Sequence, residues 1–488
     1  MNFSLKRMLY VLALLLLLGA AVILLRTMMF NSPPEKVGSP LVVKDSLSYS
    51  IERFQGALRI PTVSNNVYDS TDFYSFERFG VYLSQVYPML GKQLDSFRVN
   101  KYGLVYHWKG KDPSLKPYLF TAHYDVVPVQ EATRHLWTHA PFGAEIADGK
   151  IYSRGTLDDK CSVISLLEAV KMHVDSGFVP KRDIYLAFGH DEECGGRNGA
   201  LQIAQYFKSK EIEFEAVFDE GGVVTVKGTG GIDADLALVG IAEKGNANVS
   251  VKVKKAGGHS SMPASVTALG AASQIISDLE SNQFEPRIIP PVKNMLSNVC
   301  HTMGFAAKMA VANSEIFEPV LLKVLTEKPS TNAMVRTTTA MTMISGSSAP
   351  NVLPQEVVFV GNFRVLPGES VEDVITHVKK AAEGFDAEVT LLQGNEPSAI
   401  SPSNTRSIEL LKANIEKYYP NALMTPYLTM ASTDSRHYYI VSDNVYRFMP
   451  AQLTEKEQAL MHGIDEYISI DNFKRMIFFY KDFMEMLD

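Results

Sequence analysis

Cysteine is scarce: three residues in 488, Cys161, Cys194 and Cys300, with no CxxC pair. That excludes a disulfide framework and a cysteine-built zinc module. A small packing role suits Cys161 and Cys194 better than thiol chemistry. Charge of one sign is lacking too. The net charge of −7 comes from 47 Lys and Arg against 54 Asp and Glu, and no basic stripe with interleaved aromatics offers a nucleic-acid surface. The chain has no GxSxG elbow, no HExxH helix and no GxxxxGK[ST] loop, which removes three large hydrolase classes. Internal repeats and low-complexity tracts are also missing. What is present is globular in character, with 46% hydrophobic and 21% charged residues, and enough chain for about two or three domains.

One long hydrophobic run exists. Met8 to Leu25 is uninterrupted, preceded by Lys6 and Arg7 and closed by Arg26, and about 20 apolar residues suffice to cross a bilayer. Gly19-Ala20-Ala21 could serve as a signal cleavage site, giving a secreted chain. Val22 to Leu25 continue the apolar run past that point, which suits an uncleaved signal anchor. The basic flank favours a cytoplasmic N-terminus, with the rest outside the cytoplasm or in a lumen. Phe30 to Ser39, with Pro33-Pro34, reads as a linker. Residues 1–38 are therefore assigned to anchor and linker.

From 45 to 244 buried strands alternate with amphipathic helices. A first helix runs from about Asp45 through Leu58 and ends at Ile60-Pro61-Thr62, and a second covers about Tyr74 to Leu90. Strand patterns follow at Phe97–Val99, Leu104–Trp108, Tyr118–Ala122, Asp183–Gly189 and Ala216–Phe218, with helices at Cys161–Ser176 and Gly199–Lys208. That alternation predicts an α/β domain with a doubly wound, mostly parallel sheet. The texture changes after Lys244. Asn248 to Lys254 alternates valine with polar residues, as a strand with one solvated face does. A β-α-β-β-α-β order through 245–395 predicts an inserted ferredoxin-like α+β lid domain, with extra helical material from Arg287 to about Asn332. Residues 396–488 return to the first domain.

Three clusters end buried strands: His123-Tyr124-Asp125, Asp158-Asp159-Lys160 and Asp191-Glu192-Glu193, followed by Asp219-Glu220. Sites in parallel sheets form beyond the carboxyl ends of strands. Imidazole and carboxylate are ligands for divalent cations, and one carboxylate can bridge two of them. Asp125 shares a strand face with His123 and can orient its imidazole. Neighbouring carboxylates raise one another's pKa unless cations neutralise them. Within Glu192-Glu193, one acid can bind metal while the other takes a proton from water. His190 should point away from the metals by strand alternation.

His-Tyr-Asp-Val-Val-Pro, Arg-Gly-Thr-Leu-Asp-Asp-Lys, Asp-Glu-Glu-Cys-Gly-Gly and Asp-Glu-Gly-Gly together resemble the motifs of the aminoacylase/carboxypeptidase dizinc metallopeptidase family. The branch is that of carboxypeptidase S and the secreted N-acyl-amino-acid hydrolases. The resemblance runs from about Asp45 to the end. It implies two Zn2+ per chain, with Co2+ or Mn2+ tolerated. His123, Asp158 and Asp219 would hold one, with Glu220 the alternative to Asp219; Asp158, Glu193 and His462 would hold the other. It implies Glu192 as general base, a cis peptide after Asp158, and His259 polarising the scissile carbonyl from a Gly-Gly-His-Ser-Ser turn. Asn351 and Arg364 match substrate-holding positions, the guanidinium suited to a free carboxylate. Ser432 to Arg436 matches a loop lining the site. The expected function is a zinc-dependent amidohydrolase or carboxypeptidase for N-acyl-amino acids or peptides with a free C-terminal carboxylate. A dipeptidase or aminopeptidase, or an inactive membrane-tethered binding protein, stands as the alternative, and a homodimer through the lid is left open.

Overall fold

The computed structural model describes residues 2–30, 38–229 and 232–487. The expected linker falls mostly on 31–37, outside the described residues. The chain divides into two compact units, one of Met1–Glu35 with Lys244–Pro397 and one of Lys36–Glu243 with Ser398–Asp488.

In the larger unit Tyr118–His123 and Ile184–Gly189 are buried at every position. Such continuous apolar strands require cover on both faces. Alternation sends Tyr118, Phe120 and Ala122 into one core, and Leu119 into a second core with Tyr185, Ala187 and Val217. The first core lies under the helices Lys160–Ser176 and Ile470–Met486, and the second includes Ala200, Ile203, Ala204 and Phe207 of the helix Ala200–Ser209. Strand order across the centre is Asp95–Val99, Gly103–Trp108, Ile184–Gly189, Tyr118–His123, Ala216–Asp219, Val445–Arg447 and Leu236–Glu243. The middle pairings, from Ile184–Gly189 to Val445–Arg447, are parallel, and those toward both sides are antiparallel. His123 pairs with Gly189, and Phe120 with Phe218. This register brings the carboxyl ends of three strands to one rim.

Local deviations from the sequence reading have simple causes. The second helix spans Phe73–Val86 and stops before Leu90, because Pro88 disfavours helical geometry at Tyr87. The helix Lys160–Ser176 ends on Gly177, whose φ of 75° suits a residue without Cβ.

In the smaller unit four antiparallel strands run in the order Thr338–Ser345, Glu356–Val365, Gly245–Lys254 and Ala387–Asn395. Strand Gly245–Lys254 alternates buried and half-buried residues to Val253. Its buried Ala247, Val249, Val251 and Val253 pack with Ala271, Ile275, Val374 and Val378. The helices Ala268–Ser281 and Val371–Ala381 supply those partners, giving the inserted α+β lid. Ser370 and Asp373 form a reciprocal capping box at the second. Helices between Pro290 and Val335 make up the extra insertion. The N-terminal helix Asn2–Met29 contains a stretch, Lys6–Met29, long and apolar enough to cross a membrane.

Candidate metal centre

His123 ends its strand with Nε2 at 2.8 Å from Asp158 Oδ1 and 3.5 Å from Glu220 Oε1. His462 places its Nε2 2.9 Å from Asp158 Oδ2 and 3.1 Å from Glu193 Oε2. Two ligand groups result, His123–Asp158–Glu220 and Asp158–Glu193–His462, each with ligand atoms within 4.8 Å of one another. Asp158 turns one oxygen to each imidazole. The peptide from Asp158 to Asp159 is cis.

Asp219 is not in either group; of the Asp219-Glu220 doublet, Glu220 is the one whose carboxylate faces His123. It closes the strand Ala216–Asp219, and its carboxylate accepts from Ser435 N at 2.8 Å. Glu220, the next residue, points to the opposite side by strand alternation and so faces His123.

Asp125 serves several partners at once. Its Oδ1 lies 3.3 Å from His123 Nδ1 and accepts from Glu192 N at 3.1 Å; its Oδ2 accepts from Ser64 Oγ at 2.6 Å and Glu193 N at 3.2 Å. Asp125 thus orients the imidazole from both its backbone carbonyl, at 3.1 Å from Nδ1, and its carboxylate, and the carboxylate pins the turn carrying both glutamates. Asp191 holds the same turn from behind, accepting from Asn198 N and Gly199 N. His190 bonds Tyr68 OH at 2.8 Å, turned away from the ligand groups.

The sequence reading assigned no role to Arg154 or Glu466. Buried Glu466 pairs with Arg154 and accepts from Leu157 N, while Arg154 donates to His462 O and Gly463 O. This clamp ties the loop of His462, at φ 60°, to the turn that ends in Asp158. The Thr433–Ser435 loop likewise holds Asp219 and Glu243, with Glu243 also paired to buried Arg447 at 2.9 Å.

The electrostatics favour cations. Burial, then the charge of Asp158, pushes Glu193 and Glu220 each up to about 7, and burial lifts Glu192 well above the carboxylate range. Burial pulls His123 down, but hydrogen bonds to Asp125, Asp158 and Glu220 outweigh it and hold it well above its usual value. Hydrogen bonds to Asp158 and Glu193 raise His462 to about 10. Burial would raise Asp158, yet the two histidines hold it low. Among the described residues Glu193 Oε1 is buried without a partner. Crowded carboxylates, an orphaned ligand oxygen and two converging imidazoles fit a pair of divalent cations. Among the described residues the Glu192 carboxylate has no hydrogen-bond partner, unlike that of Glu193.

The remaining candidates lie in the lid. His259 is exposed, and Ser261 N donates to its Nδ1 at 3.2 Å, so a neutral ring carries its proton on Nε2. Asn351 borders the same cavity as His259. Arg364 sits half-buried on Glu356–Val365, its pKa lowered by burial, and has no ion pair among the described residues.

Residues 119–486 match peptidase family M20/M25/M40. The chain belongs to that family. It is an M20 metallopeptidase by this match, and the similar proteins agree. It is 37% identical to a probable carboxypeptidase S-like 2 from Dictyostelium discoideum, covering 95% of this chain and 91% of that protein. It is 33% identical to the N-fatty-acyl-amino acid synthase/hydrolase PM20D1.1 of Danio rerio, covering 90% and 85%. An M20 family metallo-carboxypeptidase from Sulfolobus solfataricus shares the fold, with a TM-score of 0.67 at 17% identity over 90% of this chain and 98% of that one.

Proposed function

We propose that this M20 enzyme is a membrane-anchored amidohydrolase that cleaves N-acyl-amino acids or peptides bearing a free C-terminal carboxylate. The observation that carries the reading is the Asp158 carboxylate, one oxygen toward each histidine-centred ligand group. His123, Asp158 and Glu220 would hold one ion, and Asp158, Glu193 and His462 a second. Zinc suits imidazole with carboxylate, and cobalt or manganese tolerates the same set. Ions in these positions supply Lewis acidity toward water and a carbonyl oxygen.

The chain's own groups do the rest. Glu192, unpartnered and raised in pKa, takes the water proton as the new C–O bond forms. It returns that proton to the amine nitrogen as the C–N bond breaks. His259 offers Nε2–H to the carbonyl oxygen. Arg364, a guanidinium without a carboxylate partner among the described residues, is suited to grip the substrate carboxylate in two parallel bonds, with Asn351 an added hydrogen-bonding contact. The names of relatives, carboxypeptidase S-like and N-fatty-acyl-amino acid synthase/hydrolase, support acids as substrates. The apolar helix Lys6–Met29 supports a retained anchor with the catalytic part outside the cytoplasm or in a lumen. The edge strand Thr338–Ser345, with Met343 and Ile344 exposed, supports a homodimer through the lid.

A panel of acyl-amino acids, peptides and their C-terminal carboxamides tests the reading. Amine release from the acids, with the carboxamides turned over far more slowly, is expected. Equal turnover of acid and carboxamide would contradict the proposed selection.

A further inference from the structure

The N-terminal helix ends against a folded surface. Asn313, fully buried between the helices Phe305–Ala312 and Ser314–Leu325 of the lid insertion, donates through Nδ2 to Thr27 Oγ1 at 3.2 Å and to Ile23 O at 3.3 Å. Thr27 is itself buried, and Arg26 faces Glu315 at 3.5 Å. These contacts join the last turn of the apolar helix to the junction of two lid helices.

An exposed apolar stripe begins at that junction. Ile316, Val320 and Val324 recur every fourth residue, so they share one face of the helix Ser314–Leu325. They are 56%, 54% and 56% exposed, and Met303, just before the first helix, and Phe305, its first residue, are 50% and 58% exposed. Glu315 and Glu318 fall off the stripe. Lys323 borders it, where a long stem can lie on an apolar surface with its charge in water. Scattered apolar residues on a surface are ordinary, but a continuous stripe marks an interaction site.

The helix identifies the occupant. Met8 to Leu25, at 1.5 Å per residue, spans about 27 Å, close to the ~30 Å of a bilayer's hydrocarbon core. Arg26 and Thr27 then lie at the membrane boundary, and the hydrogen bonds at Thr27 bring Asn313 and the start of the stripe to the same level. We infer that the helical insertion of the lid docks on the bilayer surface, with Ile316, Val320, Val324, Phe305 and Met303 seated in the interfacial layer beside the anchor. The inference rests on the reading of the N-terminal helix as a retained membrane span.

Spin-label accessibility in the full-length protein separates the two readings. Cysteines replace Leu16, Glu318 and Val320 one at a time, each carries a nitroxide, and the protein is reconstituted in phosphatidylcholine vesicles, with the unsubstituted chain as blank. Collision with oxygen, which concentrates in lipid, is compared with collision with an aqueous nickel chelate. Leu16→Cys and Val320→Cys are expected to favour oxygen several-fold over Glu318→Cys. Nickel access at Val320 equal to that at Glu318, with Leu16 still in lipid, overturns the docking and leaves the anchor intact. Protection of Val320 from both reagents overturns it in favour of a protein partner, such as a second copy. Water access at Leu16, or loss of that segment from the chain, removes the anchor and the docking together. Val324→Cys repeats the measurement if Val320→Cys fails to fold.

Discussion

The two units are both built from sheet and helix, and they treat buried charge in opposite ways. The larger unit buries Asp125, Asp159, Lys160, Asp191, Asp219 and Asp434, along with the pairs Arg154–Glu466 and Arg447–Glu243. Among the described residues of 244–397, Lys244 is the one charged side chain that is buried. Burying charge is costly unless it is paired or used. Several of these charges, Asp125, Asp191 and Asp219 among them, stand at the carboxyl ends of the central strands beside the candidate ligand groups. The lid instead keeps Arg364 half-buried and, among the described residues, without an ion pair, and leaves His259 exposed. The contrast is what the proposed function requires, with bond breaking in the larger unit and substrate selection in the lid.

The largest effect should come from the rim. Glu192→Gln keeps the side chain's size but removes the proton acceptor, so kcat should fall on the order of 10²–10⁴-fold. Bound metal and KM should stay close to wild type in parallel metal analysis and steady-state kinetics. Unchanged turnover would break the division of labour. In the lid, Arg364→Ala removes a charge-assisted contact of about 1.5–3 kcal/mol, or about 10- to 150-fold in kcat/KM. That loss should appear mainly in KM and vanish for carboxamide substrates. A loss confined to kcat would place Arg364 in the chemistry instead.

Much of this arrangement was legible in the sequence. Strands Tyr118–His123 and Ile184–Gly189 are unbroken apolar runs that stop at acidic or histidine-bearing turns, so both the sheet and its functional rim can be read. The lid declares itself through the two-residue period of Gly245–Lys254. Val445–Arg447 was not legible, because three residues carry no period and parallel pairing with Ala216–Asp219 defines the strand. The choice between Asp219 and Glu220 turns on which residue ends the strand, and a shift of one residue exchanges the two faces. The Arg154–Glu466 clamp spans 312 residues of chain, beyond any local pattern.

A smaller effect sharpens the comparison inside the rim itself. The Asp125 carboxylate faces His123 Nδ1, which its backbone carbonyl also holds, and pins the backbone of Glu192 and Glu193 without belonging to either ligand group. Asp125→Asn should therefore weaken metal affinity by roughly 10- to 100-fold, as loss of an outer partner does, and excess metal should restore part of the activity. Metal titration followed by activity checks this, and full wild-type affinity would reduce Asp125 to a packing role.

The central claim is a two-ion centre that shares Asp158 and uses Glu220, not Asp219. Metal analysis after zinc reconstitution of the wild type, Glu220→Gln and Asp219→Asn tests it most directly. Two ions per chain in the wild type, a lost or weakened ion in Glu220→Gln, and two retained in Asp219→Asn are predicted. One ion in the wild type, or loss in Asp219→Asn with both ions kept in Glu220→Gln, would contradict the account.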